Sequence, residues 1–332
     1  MIRIAINGFG RIGRRVFRLL MDNASIEVVA INDVADSSTL SHLLKYDSIH
    51  GIFGTKIGHD DHHIIVNDRN IPLLNYSDPK AIPWHEYDVD YVIESSGKFK
   101  SPEQLENHLN NGANKVILTV PPIDDSIKTV VMGVNDHELS FNDKIISNAS
   151  CTTNNAAPMM KIVNDLCGIE QAYITTVHSY TTDQSLHDQP HRDLRRARAA
   201  GQSIVPTTTG AAKALTKIFP DLADVIGGCG IRVPVANGSL TDITFNVSKN
   251  VTKDIVNKAF KRASEEEFNG IIEYTEDPIV SIDIVGNSHS CIFDAQMTSV
   301  IGNMVKIIGW YDNETGYSSR IIDLIFKLEQ LK

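Results

Sequence analysis

The stretch "INGFGRIGRRVFRLL", residues 6–20, constrains the fold more than any other part of the chain. Gly8, Gly10 and Gly13 stand in G-x-G-x-x-G spacing, after the apolar run "IRIAI" and before an amphipathic stretch. Alone, that spacing is a weak signal; between a strand and a helix, each glycine has a task. The first permits a tight turn, the second lets backbone approach a pyrophosphate, and the third lets helix pack against strand. The helix N-terminus then offers unpaired N–H groups and the positive end of its dipole to an anion. The next apolar run, "EVVAIND", ends at Asp33, twenty residues beyond Gly13. A carboxylate there accepts ribose hydroxyls and repels the 2′-phosphate of NADP, so the expected cofactor is NAD.

The pattern around this motif predicts an α/β fold with a Rossmann-type parallel sheet. "IRIAI", "IEVVAIN", "VDYVIESS" and "NKVILTV" are short, β-branched runs closed by polar or glycine-rich turns. Such runs suit parallel strands buried on both faces. Helical stretches at 11–22 and 102–111 lie between them, which gives a βαβ layout. After residue 170 the texture changes. "AYITTVHSY", "IRVPVANGSLTDITFNVS", "IVSIDIVG", "CIFDAQM" and "MVKIIGWYD" predict longer strands, with helices at 208–219 and 252–267. This second part is expected to be an α+β domain with a mostly antiparallel or mixed sheet. The expected division is 1–149 for the dinucleotide-binding domain and 150–315 for the second domain. The tail, 316–332, carries a helical apolar stripe.

Length agrees with two domains, since 332 residues exceed what one core usually serves. A net charge of −10 gives no reason to expect nucleic acid as a partner. No apolar run approaches the span of a bilayer, and "MIRIAINGFG" reads as strand and turn, not as a signal peptide. Cysteines at 151, 167, 229 and 291 form no CxxC pair and no metal-ligand spacing. No metal is expected, and the scattered thiols fit a reducing cytoplasm. Cys167, Cys229 and Cys291 read as small buried hydrophobes.

Cys151 is different. It sits in "SNASCTTNNAAP", a run of small and polar residues with nothing of a core about it. Ser150 is an expected N-cap for a helix that ends near Gly168, which puts Cys151 in the first turn. The dipole there favours thiolate and lowers the thiol pKa. Pro158 removes one helical hydrogen bond, so a kink or a later start is the alternative. His178, 27 residues downstream at the end of "ITTVHSY", supplies a candidate base. A dinucleotide site, an exposed thiol and a histidine at a strand end together suit oxidation of an aldehyde: thiolate attack makes an adduct from which hydride can leave.

With "NGFGRIGR", "HLLKYDSIHG", "SNASCTTN", "TTVHSYT", "DLRRARAA", "PTTTGAAKA", "RVPVANGS" and "WYDNETGYS" all present, the chain resembles the glyceraldehyde-3-phosphate dehydrogenases nearly end to end. The resemblance implies a homotetramer acting on glyceraldehyde 3-phosphate and inorganic phosphate, with the C-terminal helix returning to the first domain. It implies Cys151 as nucleophile and His178 as base. It gives Arg232 and Thr181 to the substrate phosphate, and Arg196, Ser150, Thr152, Thr209 and Gly210 to the second phosphate. Arg192, Arg195 and Arg198 read as a solvated or interface face. Asn313 resembles the residue that fixes the nicotinamide carboxamide. Arg11, Ile12, Ser96 and Thr119 match positions lining the dinucleotide, beside Gly8, Gly10, Gly13 and Asp33.

Four positions depart from the common family pattern. Ser77 stands where an arginine is usual, which leaves its assignment to the cofactor site weaker. "TVPP" brings Thr119, Pro121 and Pro122 to the loop expected near the nicotinamide. Asn155 replaces a common second cysteine, and Thr315 replaces a bulkier residue. None removes a catalytic group. Erythrose-4-phosphate dehydrogenase is the nearest competing reading, disfavoured by the "PTTTG" block that would grip inorganic phosphate. A non-catalytic NAD-binding scaffold is the other, and it needs none of the cysteine, histidine and arginine set.

Overall fold

A computed structural model describes residues 1–21 and 23–332. The chain divides into two compact units, the first comprising Met1–Val130, Glu138–Ala149 and Ser318–Lys332, the second Val131–His137 and Ser150–Tyr317.

The first unit is built on a nine-stranded sheet. Its centre is Ile2–Asn7, flanked by Ile26–Asn32 on one side and Tyr91–Glu94 on the other, both parallel to it. Lys115–Leu118, Ile145–Ser147 and Lys128–Thr129 extend the parallel array beyond Tyr91–Glu94. Beyond Ile26–Asn32 comes Arg69–Leu74, then an antiparallel edge made of His63–Val66 and Ile57–His59. The four predicted apolar runs are thus central strands, and the residues Val92, Ile93, Val116 and Ile117 are fully buried. Strands covered on both faces need no polar side, which explains why these runs lack alternation. The first helix is Arg11–Leu20; position 22 of the predicted stretch lies outside the described residues. The second, Pro102–Asn110, starts with a capping box between Ser101 and Gln104, a device worth about 1 kcal/mol. The C-terminal helix is Thr315–Gln330, and within this unit the Tyr91 hydroxyl donates to Glu329 Oε1 at 2.6 Å.

The second unit carries an eight-stranded mixed sheet. Ile169–Ser179 runs parallel to Ile226–Val233 and antiparallel to Ser239–Val247. Met304–Tyr311 follows antiparallel, then Cys291–Asp294 antiparallel to it and Ile272–Thr275 parallel. Ser239–Val247 alternates strictly between buried and half-buried residues, as a strand with one covered face must. The helices are Cys151–Cys167, Ala211–Ile218 and Lys253–Glu265.

Two expectations change, and one alternative is excluded. The run at 231–248 is two strands, broken at Pro234–Gly238, where Gly238 takes φ +87° and a Cβ would meet the Ser281 carbonyl at 2.3 Å. "IVSIDIVG" is a series of turns, not a strand; of its alternating residues Val280 and Ile282 are 55% and 72% exposed, and Ile284 is buried from within a turn. The helix at Cys151 neither starts late nor breaks: it runs seventeen residues through a buried Pro158. Among the described residues no helix is long and apolar enough to cross a membrane.

Candidate active site

The glycine turn closes at the C-terminal ends of three neighbouring strands. Gly8 has φ +91°, and a Cβ on it would lie 2.4 Å from the Ser96 nitrogen. A Cβ on Gly13 would lie 2.2 Å from the Gly8 carbonyl. Gly10 is the opposite case: a Cβ there meets nothing within 4 Å, so its open face borders the cleft and not the core. Gly10 caps Arg11–Leu20 with no side-chain cap and no acidic residue in the first turn, so no carboxylate of that turn opposes an anion at the helix start. The cleft is lined by Gly8, Gly10, Asp33, Tyr76, Ser77 and Ser96 among others.

Asp33 is pinned at the cleft wall. Its Oδ2 accepts from the Phe9 N–H at 2.6 Å and its Oδ1 from the Ala35 N–H at 3.0 Å. Each oxygen keeps further acceptor capacity for a ribose hydroxyl. These features fit a dinucleotide: a backbone cradle a side chain would fill, a helix start with no side-chain cap and a fixed carboxylate. Ser77 contributes to the rim, and Ser96 to the wall. Arg11 and Ile12 occupy the first helical turn. The Arg11 guanidinium is paired with Asp47 at 2.8 and 3.1 Å. Burial of Asp47 would raise its carboxyl, yet the His50 and Ile49 N–H groups and Arg11 together hold it at about 2. Thr119 lies at a strand end, its hydroxyl donating to the Glu94 carbonyl at 3.0 Å.

In the second unit the thiol is placed by a helix end and the imidazole by a strand end. Ser150 Oγ accepts from the Thr153 N–H at 3.1 Å, which sets Cys151 as the first helical residue. Cys151 Sγ lies 3.4 Å from His178 Nε2. His178 and Arg232 face each other in the register of two parallel strands, so Arg232 NH1 comes within 2.5 Å of Nδ1 and 2.9 Å of the Ser179 carbonyl. That same carbonyl lies 2.7 Å from Nδ1. Nδ1 can therefore donate to the carbonyl or accept from the guanidinium, and only the first arrangement leaves Nε2 with a lone pair toward sulfur.

The electrostatics correct one expectation. Burial pushes the Cys151 thiol above its ordinary range, and Arg232 and the Thr152 hydrogen bonds only partly offset it. Burial, aided by the Arg232 charge, pushes His178 down to about 3. The helix end does not leave Cys151 as a resting thiolate here: desolvation of an anion outweighs the dipole. The pair rests as thiol and neutral imidazole, so the imidazole can take the thiol proton as the sulfur attacks.

The other sequence-predicted residues of this unit are each held by local partners. Thr152 Oγ1 is 2.9 Å from the Tyr311 hydroxyl. Arg196 donates from Nε to Thr207 Oγ1 at 2.9 Å and pairs with Asp183 at 2.5 Å. Thr209 Oγ1 accepts from the Ala211 N–H at 3.2 Å, and Gly210 is the N-cap of Ala211–Ile218. Thr181 follows the strand end, its carbonyl accepting from the Gln184 N–H. Asn313 is oriented by neighbours that the sequence did not disclose. The hydroxyls of Ser179 and Ser239 reach its Oδ1 at 2.9 and 3.2 Å, so its Nδ2 is the end left to donate. Ser179 directly follows His178, and alternation along that strand was the available clue; Ser239, Tyr311 and Asp183 had none.

The departures from pattern are absorbed locally. Asn155 is fully buried and its Nδ2 lies within 3.2–3.4 Å of the Ser290, Gly309 and Trp310 carbonyls. It is a packing donor rather than a neighbour to the thiol chemistry. Thr315 opens the last helix, its N–H donating to Asp312 Oδ1 at 2.8 Å.

Comparison with known proteins places both halves. Residues 2–102 match the sequence pattern described as glyceraldehyde 3-phosphate dehydrogenase, NAD binding domain, and residues 150–313 match its C-terminal domain. Glyceraldehyde-3-phosphate dehydrogenase 1 of Bacillus cereus is 49% identical, across 98% of this chain and 97% of its own. The glyceraldehyde-3-phosphate dehydrogenase of Borreliella burgdorferi is 51% identical, across 98% of this chain and 99% of its own. With both domain patterns matched and half its residues shared with these enzymes over nearly its full length, the chain belongs to the glyceraldehyde-3-phosphate dehydrogenase family.

Proposed function

We propose that the chain oxidises D-glyceraldehyde 3-phosphate in the presence of inorganic phosphate to 1,3-bisphosphoglycerate, with NAD reduced. The observation that carries this is Cys151 Sγ at 3.4 Å from His178 Nε2, at the first turn of a helix. As sulfur attacks the aldehyde carbon, His178 takes the thiol proton and a thiohemiacetal forms. The backbone N–H of Cys151, at the helix start, donates to the developing oxyanion. Bound NAD supplies the hydride acceptor. His178 returns the thiol proton to the alkoxide, completing the thiohemiacetal hydroxyl, and takes it back as the carbon gives up its hydride and the adduct becomes a thioester. An oxygen of inorganic phosphate attacks the thioester carbon, the carbon–sulfur bond breaks, and the leaving thiolate takes the proton held by His178, restoring thiol and neutral imidazole.

Arg232 and Thr181 hold the substrate phosphate in this reading; Ser150, Thr152, Arg196, Thr209 and Gly210 hold the attacking phosphate. Arginine suits both tasks through paired hydrogen bonds to phosphate oxygens. Arg196, tied to Asp183, would exchange that carboxylate for phosphate. NAD is held by Gly8, Gly10, Gly13, the helix start at Arg11 and Ile12, Asp33, Ser77, Ser96 and Thr119, with Asn313 on the nicotinamide carboxamide. The working division is 1–149 and 150–315, with 316–332 returning to the first part, in a cytoplasmic homotetramer. The test is NADH formation from glyceraldehyde 3-phosphate with and without phosphate, in wild type and Cys151→Ser. Turnover that ignores phosphate, or that prefers erythrose 4-phosphate, overturns the assignment. A serine variant keeping above about a tenth of wild-type turnover removes Cys151 as nucleophile.

A further inference from the structure

Behind the dinucleotide cleft, three strand ends carry a chain of buried polar side chains. Asn32, Asn7 and Glu94 sit side by side in register, exposed by only 3%, 2% and 1%. Asn32 Nδ2 donates to Asn7 Oδ1 at 2.7 Å, and Asn7 Nδ2 donates to Glu94 Oε2 at 2.5 Å. The chain continues into the core. Trp84 Nε1 donates to His108 Nδ1 at 2.9 Å, and His108 Nε2 lies 3.0 Å from Glu94 Oε2. An indole N–H can only donate, so Nδ1 must accept; the ring proton is therefore on Nε2 and is given to Glu94. Glu94 Oε1 accepts from both the N–H and the hydroxyl of Ser96. The carboxylate thus takes four donors, and every bond in the chain points toward it. At the other end, Asn32 exchanges hydrogen bonds with the Tyr76 backbone at 2.9 and 3.0 Å. Asn7, Asn32, Tyr76 and Ser96 all line the cleft; Glu94, His108 and Trp84 do not.

We propose that Glu94, set by His108 and Trp84, is a positioning residue that fixes the cleft wall before NAD arrives. This rests on the cleft being the NAD site. An apolar residue of similar size would fill the space but leave four donors unpaired, those of Asn7 and His108 buried and the two of Ser96 half-buried at the cleft wall. The charge is held by neutral donors alone, so its orientation, not an ion pair, sets the geometry of Ser96 and of the Asn7–Gly8 turn. Binding a ligand to a wall already ordered avoids the entropy of ordering it.

The experiment is isothermal titration of NAD into the full-length protein, with steady-state kinetics alongside. In Glu94→Gln, the new amide aims N–H groups at Asn7 and His108, or at the Ser96 N–H, whichever way it turns. The expected result is NAD affinity weakened roughly tenfold or more, with KM for NAD rising in step. The kcat at saturating NAD and the KM for glyceraldehyde 3-phosphate should stay within about twofold. The combined variant N7D/E94Q moves the carboxylate to position 7, where it accepts from Asn32 and the new amide. It should bind NAD tighter than either N7D or E94Q alone, a recovery that loss of packing cannot produce. Glu94→Gln binding within about twofold of wild type overturns the proposal, as does a double variant no tighter than its parents. If E94Q alone fails to fold, N7D against N7D/E94Q decides on the same criterion. A wild type that binds no NAD overturns the reading of the cleft itself.

Discussion

Replacing Arg232 with glutamine should make the Cys151 thiol harder to ionise, and more so than replacing His178. The imidazole stands between them, with Sγ 3.4 Å from Nε2 and the guanidinium NH1 2.5 Å from Nδ1. Allowing for the ring, sulfur and guanidinium are at most about 8 Å apart. At an effective dielectric of about 20, a unit charge at that distance stabilises the thiolate by about 2 kcal/mol, or about 1.5 pH units. His178, held neutral at about 3, contributes no charge near neutrality, only a hydrogen bond. The assay is the rate of iodoacetamide alkylation at Cys151 against pH, read by mass spectrometry of the peptide that carries it. Arg232→Gln should move the midpoint upward by about 1.5 pH units, and His178→Asn by distinctly less. Measured above pH 7, the imidazole is neutral in every variant that keeps it. A larger rise in His178→Asn than in Arg232→Gln would refute the reasoning, because it would mean the resting pair is imidazolium and thiolate.

The depressed pKa of His178 also links to stability. Its folded value of about 3 lies below the ordinary 6.5, so the unfolded chain binds the proton first. This stability is present above pH 6.5 and is lost as pH falls toward 3, by about 2 kcal/mol at pH 5. Denaturant unfolding of wild type and His178→Asn at pH 7 and pH 5 checks it: the variant should lose less, and an equal loss counts against a buried neutral imidazole. Asp33→Ala should narrow the preference for NAD over NADP, since it removes the carboxylate facing the 2′-phosphate. Equal catalytic efficiency of the wild type with both cofactors would falsify that role. Gly13→Ala should weaken NAD binding and stability together, because its Cβ meets the Gly8 carbonyl at 2.2 Å. A melting temperature and an NAD affinity both unchanged would mean that the turn relaxes freely.

Much of this site was written in local order along the chain. The glycine spacing, the strand before it and Asp33 at the next strand end are adjacent in sequence, and turn geometry and helix ends follow from such short stretches. Ser150 before Cys151 is equally local, and it fixes the helix start despite Pro158. Apolar runs identified the central strands because burial on both faces leaves a compositional trace. The same signal misled at 279–286, where the run forms turns that bury Ile284 and leave Val280 and Ile282 in solvent; periodicity records side-chain pattern and not what lies against it. Tertiary structure alone decided the rest. His178 meets Arg232 through the register of strands 54 residues apart, and that pairing, with burial, sets the imidazole neutral and the thiol protonated. Glu94, His108 and Trp84 join only where a helix packs beside a sheet. No motif spells a hydrogen-bond chain whose members come from separate elements, because its energy depends on distances and desolvation that exist only after the chain has folded.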